Sequence, residues 1–242
     1  MASAAWLLGS NNQKKAKELS AVLHASGVTL VSLKEAGLVM DVEEWGTTYA
    51  QNALLKALQF SLAFEGVAIA DDSGLSVDAL DGAPGVYSAR FAGEDATDQA
   101  NNLKLQAELK ARPNAPRGAR YQCMIAVAAP VDSEDPRIQQ LRTHTPPEVL
   151  RDFERLNGPG AFRVPAELVE RLAGRTTPMD VWLFEGQWFG AIASEAKGDS
   201  GFGYDPWFLL ADGRHVAELP DAEKNSISHR AKALAKLAAA FA

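Results

Sequence analysis

The chain has 242 residues, 47% hydrophobic and 23% charged, with a formal net charge of −7 and a sequence pI of about 5.2. That length can bury a substantial core, and the composition excludes a disordered or collagen-like chain. The acidic balance argues against a nucleic-acid coating protein, which needs a basic field, but leaves room for a small anionic ligand held by a few local cations. The one cysteine, Cys123, excludes an intrachain disulfide and a Cys-rich metal site. The N-terminus lacks the basic start and apolar run of a signal peptide, and no apolar stretch is long enough to span a bilayer. A cytoplasmic protein with neither membrane nor nucleic-acid partner is expected.

In chain order, residues 4–8 form an apolar run expected as a first strand. It stops at the polar turn Gly9-Ser10-Asn11-Asn12. Residues 14–25 carry Leu19, Val22 and Leu23 at helical spacing, and residues 28–32 predict a second strand. Thr47 or Thr48 can cap a long helix to about Glu65 that presents Leu54, Leu55, Leu58 and Leu62, with Gly66 as its stop. Residues 67–70 predict a buried strand running into Asp71-Asp72-Ser73-Gly74. A helix is expected from about Thr97, burying Leu103, Ala107 and Leu109. A strand over 121–129, a hairpin turning at Glu185-Gly186 between 181–184 and 187–194, and a strand over 207–210 follow. The last helix starts near Ser226 or Ser228 and buries Leu234, Leu237 and Phe241. This alternation predicts an α/β fold with a central mixed sheet flanked by helices.

Residues 132–178 stand apart as a polar, Pro-rich stretch with two short helix candidates. The first follows Thr145-Pro146-Pro147, carries Val149, Phe153 and Leu156, and stops at Gly158. The second follows Pro165, carries Leu168, Val169 and Leu172, and stops at Gly174. The stretch reads as an insertion between two strands of a single domain.

Four constellations could carry chemistry. Ser10-Asn11-Asn12-Gln13-Lys14-Lys15 lies between a strand and a helix, where free N–H groups and the dipole favour an anion; a capped helix with a solvated lysine face is the plain alternative. Asp71-Asp72-Ser73-Gly74 ends an apolar strand, where a carboxylate can hold a hard cation such as Mg²⁺, with Glu43 or Glu44 as a second ligand; an ordinary turn has the same composition. Gly201-Phe202-Gly203-Tyr204-Asp205 interleaves glycines with aromatics, so that Phe202 can stack on a base or fill the core. Lys224, His229 and Arg230 gather cations and donors at a helix start, the unfavourable end for the dipole. Cys123 reads as core, and His24, His144 and His215 as surface residues. Arg90, after the rigid turn at 82–89, fits either an ion pair or a ligand contact.

Together and in this order these segments resemble the inosine triphosphate pyrophosphatase family (Ham1-like). The matching stretches are 10–18, 43–57, 68–93, 201–208 and 224–234. The run Ala70-Asp71-Asp72-Ser73-Gly74-Leu75, then Pro84-Gly85-Val86-Tyr87-Ser88-Ala89-Arg90, and the run Ile227-Ser228-His229-Arg230 are the most specific. The resemblance implies an elongated mixed sheet with two lobes and a cleft between them, and a homodimer. It implies Mg²⁺-dependent hydrolysis of purine nucleoside triphosphates such as ITP, dITP and XTP to monophosphate and pyrophosphate, with Mn²⁺ as a second candidate metal. Carried over by motif, Ser10, Asn11, Asn12, Gln13, Lys14, Lys15 and Lys56 would bind the phosphates. Asp72 would be the catalytic residue and, with Glu43, a metal ligand. Ser73, Phe202, Gly203, Tyr204, Asp205, Lys224, His229 and Arg230 would bind the substrate. Two features depart from the family: Ser10-Asn11-Asn12 stands where Thr-Gly-Asn is usual, and residues 132–178 are extra. A nucleotide sensor without turnover and a pyrophosphatase for modified pyrimidine triphosphates are the alternatives.

Overall fold

The computed structural model describes residues 5–10, 19, 20, 23, 24 and 27–241. An eight-stranded mixed sheet is built from β1 (Trp6–Leu8), β2 (Leu30–Ser32), β3 (Ala68–Val77), β4 (Gly118–Pro130), β5 (Glu148–Val149), β6 (Gly160–Val164), β7 (Met179–Ile192) and β8 (Phe208–Leu209). The order is β2-β1-β3-β4-β7-β6-β5, with β8 on β7. β1 is parallel to β2 and to β3, with Leu7 opposite Ala68 and Leu8 opposite Ile69. β6 is antiparallel to β7 and parallel to β5. The helices are α1 (Tyr49–Phe64), α2 (Asp98–Lys110), α3 (Pro136–His144), α4 (Ala166–Ala173), α5 (Asp221–Ile227) and α6 (His229–Ala239). The α/β mixed sheet matches expectation. Most of the expected helix over 14–25 lies outside the described residues.

Two compact units share the chain: Met1–Asp72, Met124–Glu185 and Ala233–Ala242 form the first, and Ser73–Cys123 and Gly186–Lys232 the second. Each has its own core. In the first, α1 packs Leu54, Leu55, Leu58 and Phe60 among Leu7, Ala68, Met124, Val169 and Val181. In the second, Leu75, Leu105, Leu109, Trp188, Tyr204, Phe208 and Val216 come together.

α1 begins as its sequence predicts. Thr48 is the N-cap, its hydroxyl accepting from Gln51 N while the Gln51 side chain accepts from Thr48 N. The left-handed residue that ends it is Glu65 (φ 54°), one place before the expected Gly66. α4 follows Pro165 and stops at Gly174 (φ 67°), as expected.

Other expectations change. β3 runs straight through Asp71-Asp72-Ser73-Gly74 to Val77, so these residues form strand, not turn. β7 likewise runs through Glu185-Gly186, and the expected hairpin is one strand of 14 residues. Strand pairing satisfies the ladder hydrogen bonds and overrides local turn preference in both cases. The buried face of α2 is Asn101, Leu105 and Leu109, while Leu103 and Ala107 are exposed. The first helix candidate in 132–178 is instead β5 and loop: Phe153 and Leu156 are buried, but Val149 is exposed. Prolines 146 and 147 bias this chain to extended backbone, and β5 finds a partner in β6. α3 and β6 have no counterpart among the sequence expectations. His215 is buried, its Nδ1 2.7 Å from Pro206 O.

Within the first unit Asp180 of β7 is fully buried between two arginines. Arg163 Nε of β6 donates to its Oδ1 at 2.8 Å and Arg142 Nε of α3 to its Oδ2 at 2.9 Å. Arg142 also donates to the carbonyls of Ser133 and Pro130. Asp180→Ala therefore lowers unfolding stability by about 3 kcal/mol, the low end for a broken buried pair because Arg163 still reaches water; urea unfolding with unchanged slope checks this.

Candidate active site

The site chemistry begins at the carboxyl end of β1. Gly9 N donates to Ile69 O at 2.8 Å, so Ser10 starts alongside the residues that lead to Asp71 and Asp72. Asn11, Asn12, Gln13, Lys14 and Lys15, expected to bind phosphates, lie outside the described residues.

In the first unit, side chains from a loop, a helix and a strand converge. Lys56 of α1 is 9% exposed, with Nζ 2.9 Å from Glu44 Oε1 and 3.2 Å from Asp72 Oδ1. Burial pulls the Lys56 pKa down, but the charges of Asp72, Glu44 and Asp71 and the hydrogen bond to Glu44 outweigh it and raise it. Lys56 therefore remains an ammonium at neutral pH. Asn52, one helical turn before Lys56, donates Nδ2 to Asp72 Oδ2 at 3.2 Å and accepts at Oδ1 from Gly46 N at 2.8 Å.

Glu44 thus pairs with the same ammonium as Asp72, whereas Glu43, expected as the metal ligand, is exposed. Asn52 and Gln51 are site-shaping residues that sequence reading missed. Their signal was available: Gln51, Asn52 and Lys56 are polar positions in a helix whose surroundings are otherwise apolar.

The donor set fits a hard cation. Asp72 and Glu44 offer only carboxylate oxygens, and Mg²⁺ takes one or two protein carboxylates together with substrate phosphates and water. Among the described residues no group of three or more His, Cys, Asp or Glu side chains could hold a metal by itself.

In the second unit a buried carboxylate is ringed by donors. Asp205 Oδ2 accepts from Lys224 Nζ at 2.5 Å and from Phe202 N at 2.9 Å, and its Oδ1 accepts from the Tyr121 hydroxyl at 3.1 Å. Lys224 Nζ also lies 4.6 Å from the centre of the half-buried Phe202 ring. Burial first, then Asp205, push the Tyr121 hydroxyl well above its ordinary pKa, so it stays a donor. The Tyr121 ring stacks on His229 at 4.9 Å with planes 14° apart, and Phe208 covers it at 4.6 Å. Arg230 is 3% exposed, with Nη2 3.2 Å from Ser73 Oγ.

Gly203 is held by α2, its N donating to Asp98 Oδ2 and its O accepting from Asn102 Nδ2. The Tyr204 hydroxyl donates to Ser88 O at 2.8 Å. Tyr204 and Asp205 therefore anchor the loop that carries Phe202. Tyr121 was missed because an alternating strand pattern marks it only as core.

Two glycines are required by contact. A Cβ at Gly74 in β3 would run into Ser88 Oγ and Gly85 O. One at Gly201 (φ 82°) would strike the Asp205 carboxylate.

With this geometry in view, the comparisons with known proteins are consistent. The Ham1 family model matches residues 6–149 and 148–240. The chain is 41% identical over 231 residues to the dITP/XTP pyrophosphatase of Desulforamulus reducens, covering 95% of this chain and 92% of that one. It is 37% identical over 232 residues to the dITP/XTP pyrophosphatase of Bacillus subtilis, covering 96% and 93%. Among solved structures it matches a HAM1 protein from Coxiella burnetii with a TM-score of 0.72 and 32% identity, over 97% of this chain and 96% of that one. The Staphylococcus aureus Ham1 protein matches with a TM-score of 0.71 and 31% identity, over 98% and 97%. The chain belongs to the Ham1 family.

Gly74→Ala forces the strand off Gly85 and Ser88 and lowers stability by about 1–3 kcal/mol, read as a lower thermal midpoint. Tyr121→Phe removes one of three donors to Asp205 and costs about 1 kcal/mol, checked by urea unfolding.

Proposed function

We propose that the protein hydrolyses non-standard purine nucleoside triphosphates (ITP, dITP and XTP) to the monophosphate and pyrophosphate. The observation that carries this reading is the cluster of Asp72, Glu44, Lys56 and Asn52, held in a chain of the Ham1 family. Asp72 and Glu44 are the residues that would hold Mg²⁺, with Mn²⁺ as a second candidate. When bound, the metal supplies charge neutralisation at the phosphates and lowers the pKa of a coordinated water.

The protein's own groups do the rest. Water attacks the α-phosphorus, the bond from that phosphorus to the bridging oxygen breaks, and pyrophosphate leaves with the electron pair. Asp72 accepts or directs the proton that the water loses, held in place by Asn52 and Lys56. The Lys56 ammonium and the donors of Ser10, Asn11, Asn12, Gln13, Lys14 and Lys15 offset the charge that builds on the leaving group.

Phe202, Arg230, His229 and Lys224 are the residues taken to read the base. Phe202 offers a stacking face, and Arg230, His229 and Lys224 offer donors. Hypoxanthine and xanthine present an acceptor at position 6 where adenine presents an amino group. A buried donor left facing a donor costs about 1–3 kcal/mol, which disfavours ATP. The net charge of −7 and the single cysteine are in keeping with a small-nucleotide enzyme of the cytoplasm rather than a nucleic-acid binder, and no helix among the described residues is long and apolar enough to cross a membrane. The same reading takes the active form as a homodimer and residues 132–178 as an insertion in one domain.

Pyrophosphate release from ITP, XTP, dITP, ATP and GTP tests the proposal. Release from ITP or XTP that exceeds release from ATP and stops with chelator is the expected result; binding without release would make the protein a nucleotide sensor. Asp72→Asn loses nearly all turnover while keeping its circular dichroism spectrum. Arg230→Ala narrows the ratio of kcat/KM for ITP over ATP by about tenfold or more, and an unchanged ratio would remove Arg230 from base selection.

A further inference from the structure

The loop that carries Glu43 and Glu44 belongs to no strand or helix, and every backbone N–H from Gly46 to Thr48 is bonded by a side chain of α1. Gly46 N donates to Asn52 Oδ1, and Thr47 N and Thr48 N donate to Gln51 Oε1 at 2.7 and 3.2 Å. The Gln51 amide is oriented in turn from residues 132–178. Its Nε2 donates to Phe153 O and Glu154 O, each at 3.0 Å. An amide whose nitrogen faces two carbonyls can point its oxygen only one way, here at the loop. Two more ties join the same pieces: the Thr48 hydroxyl donates to Leu156 O at 2.7 Å, and the Trp45 ring lies 5.1 Å from the Phe153 ring. Trp45 follows Glu44 directly, and Asn52 follows Gln51 and reaches Asp72.

We propose that residues 153–156 brace the acid-bearing loop, and that Gln51 and Trp45 are positioning residues that set where the Glu44 carboxylate stands beside Asp72. The proposal rests on the reading of Glu44 and Asp72 as the metal carboxylates. The brace works because a ligand carboxylate on an unsupported loop must be ordered by each binding event, whereas one fixed by outer hydrogen bonds is already in place.

The test uses the full chain with Trp45→Ala, Gln51→Glu and Trp45→Phe. Gln51→Glu keeps an oxygen for the loop but turns another oxygen toward the two carbonyls. Trp45 is half exposed, so Trp45→Ala leaves the core intact. Three quantities are measured: amide hydrogen exchange over residues 42–48, the Mg²⁺ concentration for half-maximal pyrophosphate release at saturating ITP, and the thermal midpoint. Trp45→Ala and Gln51→Glu are expected to speed exchange in the loop and to raise the Mg²⁺ requirement by about tenfold, with kcat recovered at saturating Mg²⁺. Trp45→Phe restores both. An unchanged Mg²⁺ requirement overturns the proposal, whether or not the thermal midpoint falls. If the wild-type protein releases no pyrophosphate from any triphosphate, the functional reading fails separately, and the exchange data alone then decide whether the brace exists.

Discussion

A buried ammonium has to be surrounded by anions, and Lys56 meets that demand by drawing Glu44 from a loop and Asp72 from β3 onto α1. Burial of the ammonium costs free energy that its partners return only if the geometry is kept. Burial lowers the Lys56 pKa, while the charges of Asp72, Glu44 and Asp71 raise it, leaving it above its ordinary value. One charge therefore fixes the relative placing of the loop, α1 and β3, and the two carboxylates it fixes are those proposed to hold the metal. Asn52 repeats the constraint in neutral form, joining Gly46 to Asp72 from the preceding turn of the same helix.

The second unit solves the inverse problem. There the buried charge is the Asp205 carboxylate, and Tyr121, Lys224 and the Phe202 backbone supply the donors. The side chains proposed to read the base are tied to this centre by contact: Phe202 through its N–H and under Lys224, and His229 through stacking on Tyr121. A half-exposed aromatic loop would otherwise sample many rotamers; anchoring it in advance lowers the ordering cost of binding.

Residues 132–178 contribute to the first unit's core. α4 sends Leu168, Val169 and Leu172 into the core shared with α1, β6 pairs with β7, and α3 supplies Arg142 to buried Asp180. A polar, Pro-rich composition conceals this, because the stretch contributes its apolar residues in short runs separated by turns. Its loop at 153–156 also provides the backbone acceptors that orient Gln51, so its structural and positioning roles share the same residues.

The sequence by itself determined the α/β class, a capped start of α1 at Thr47 or Thr48, the stop of α4 at Gly174 and the order of the chemical motifs. These follow from short-range rules: periodicity, capping chemistry and runs of residue types that few families share. It also brought Asp72, Phe202, Lys224, His229 and Arg230 into consideration through their motifs, and Lys56 through the family resemblance, since runs of residue types are visible in one dimension. Only the tertiary structure decided that Asp71-Asp72-Ser73-Gly74 and Glu185-Gly186 are strand, because neighbouring strands complete their hydrogen bonds. It alone decided that Glu44 pairs with Lys56 beside Asp72, and that Asn52, Gln51 and Tyr121 make the contacts described above. The pairing of Glu44 with Lys56, of Gln51 with Phe153 O and of Tyr121 with Asp205 joins residues 12, 102 and 84 positions apart, and separations of that kind are set by packing of whole elements, on which local spacing carries no information.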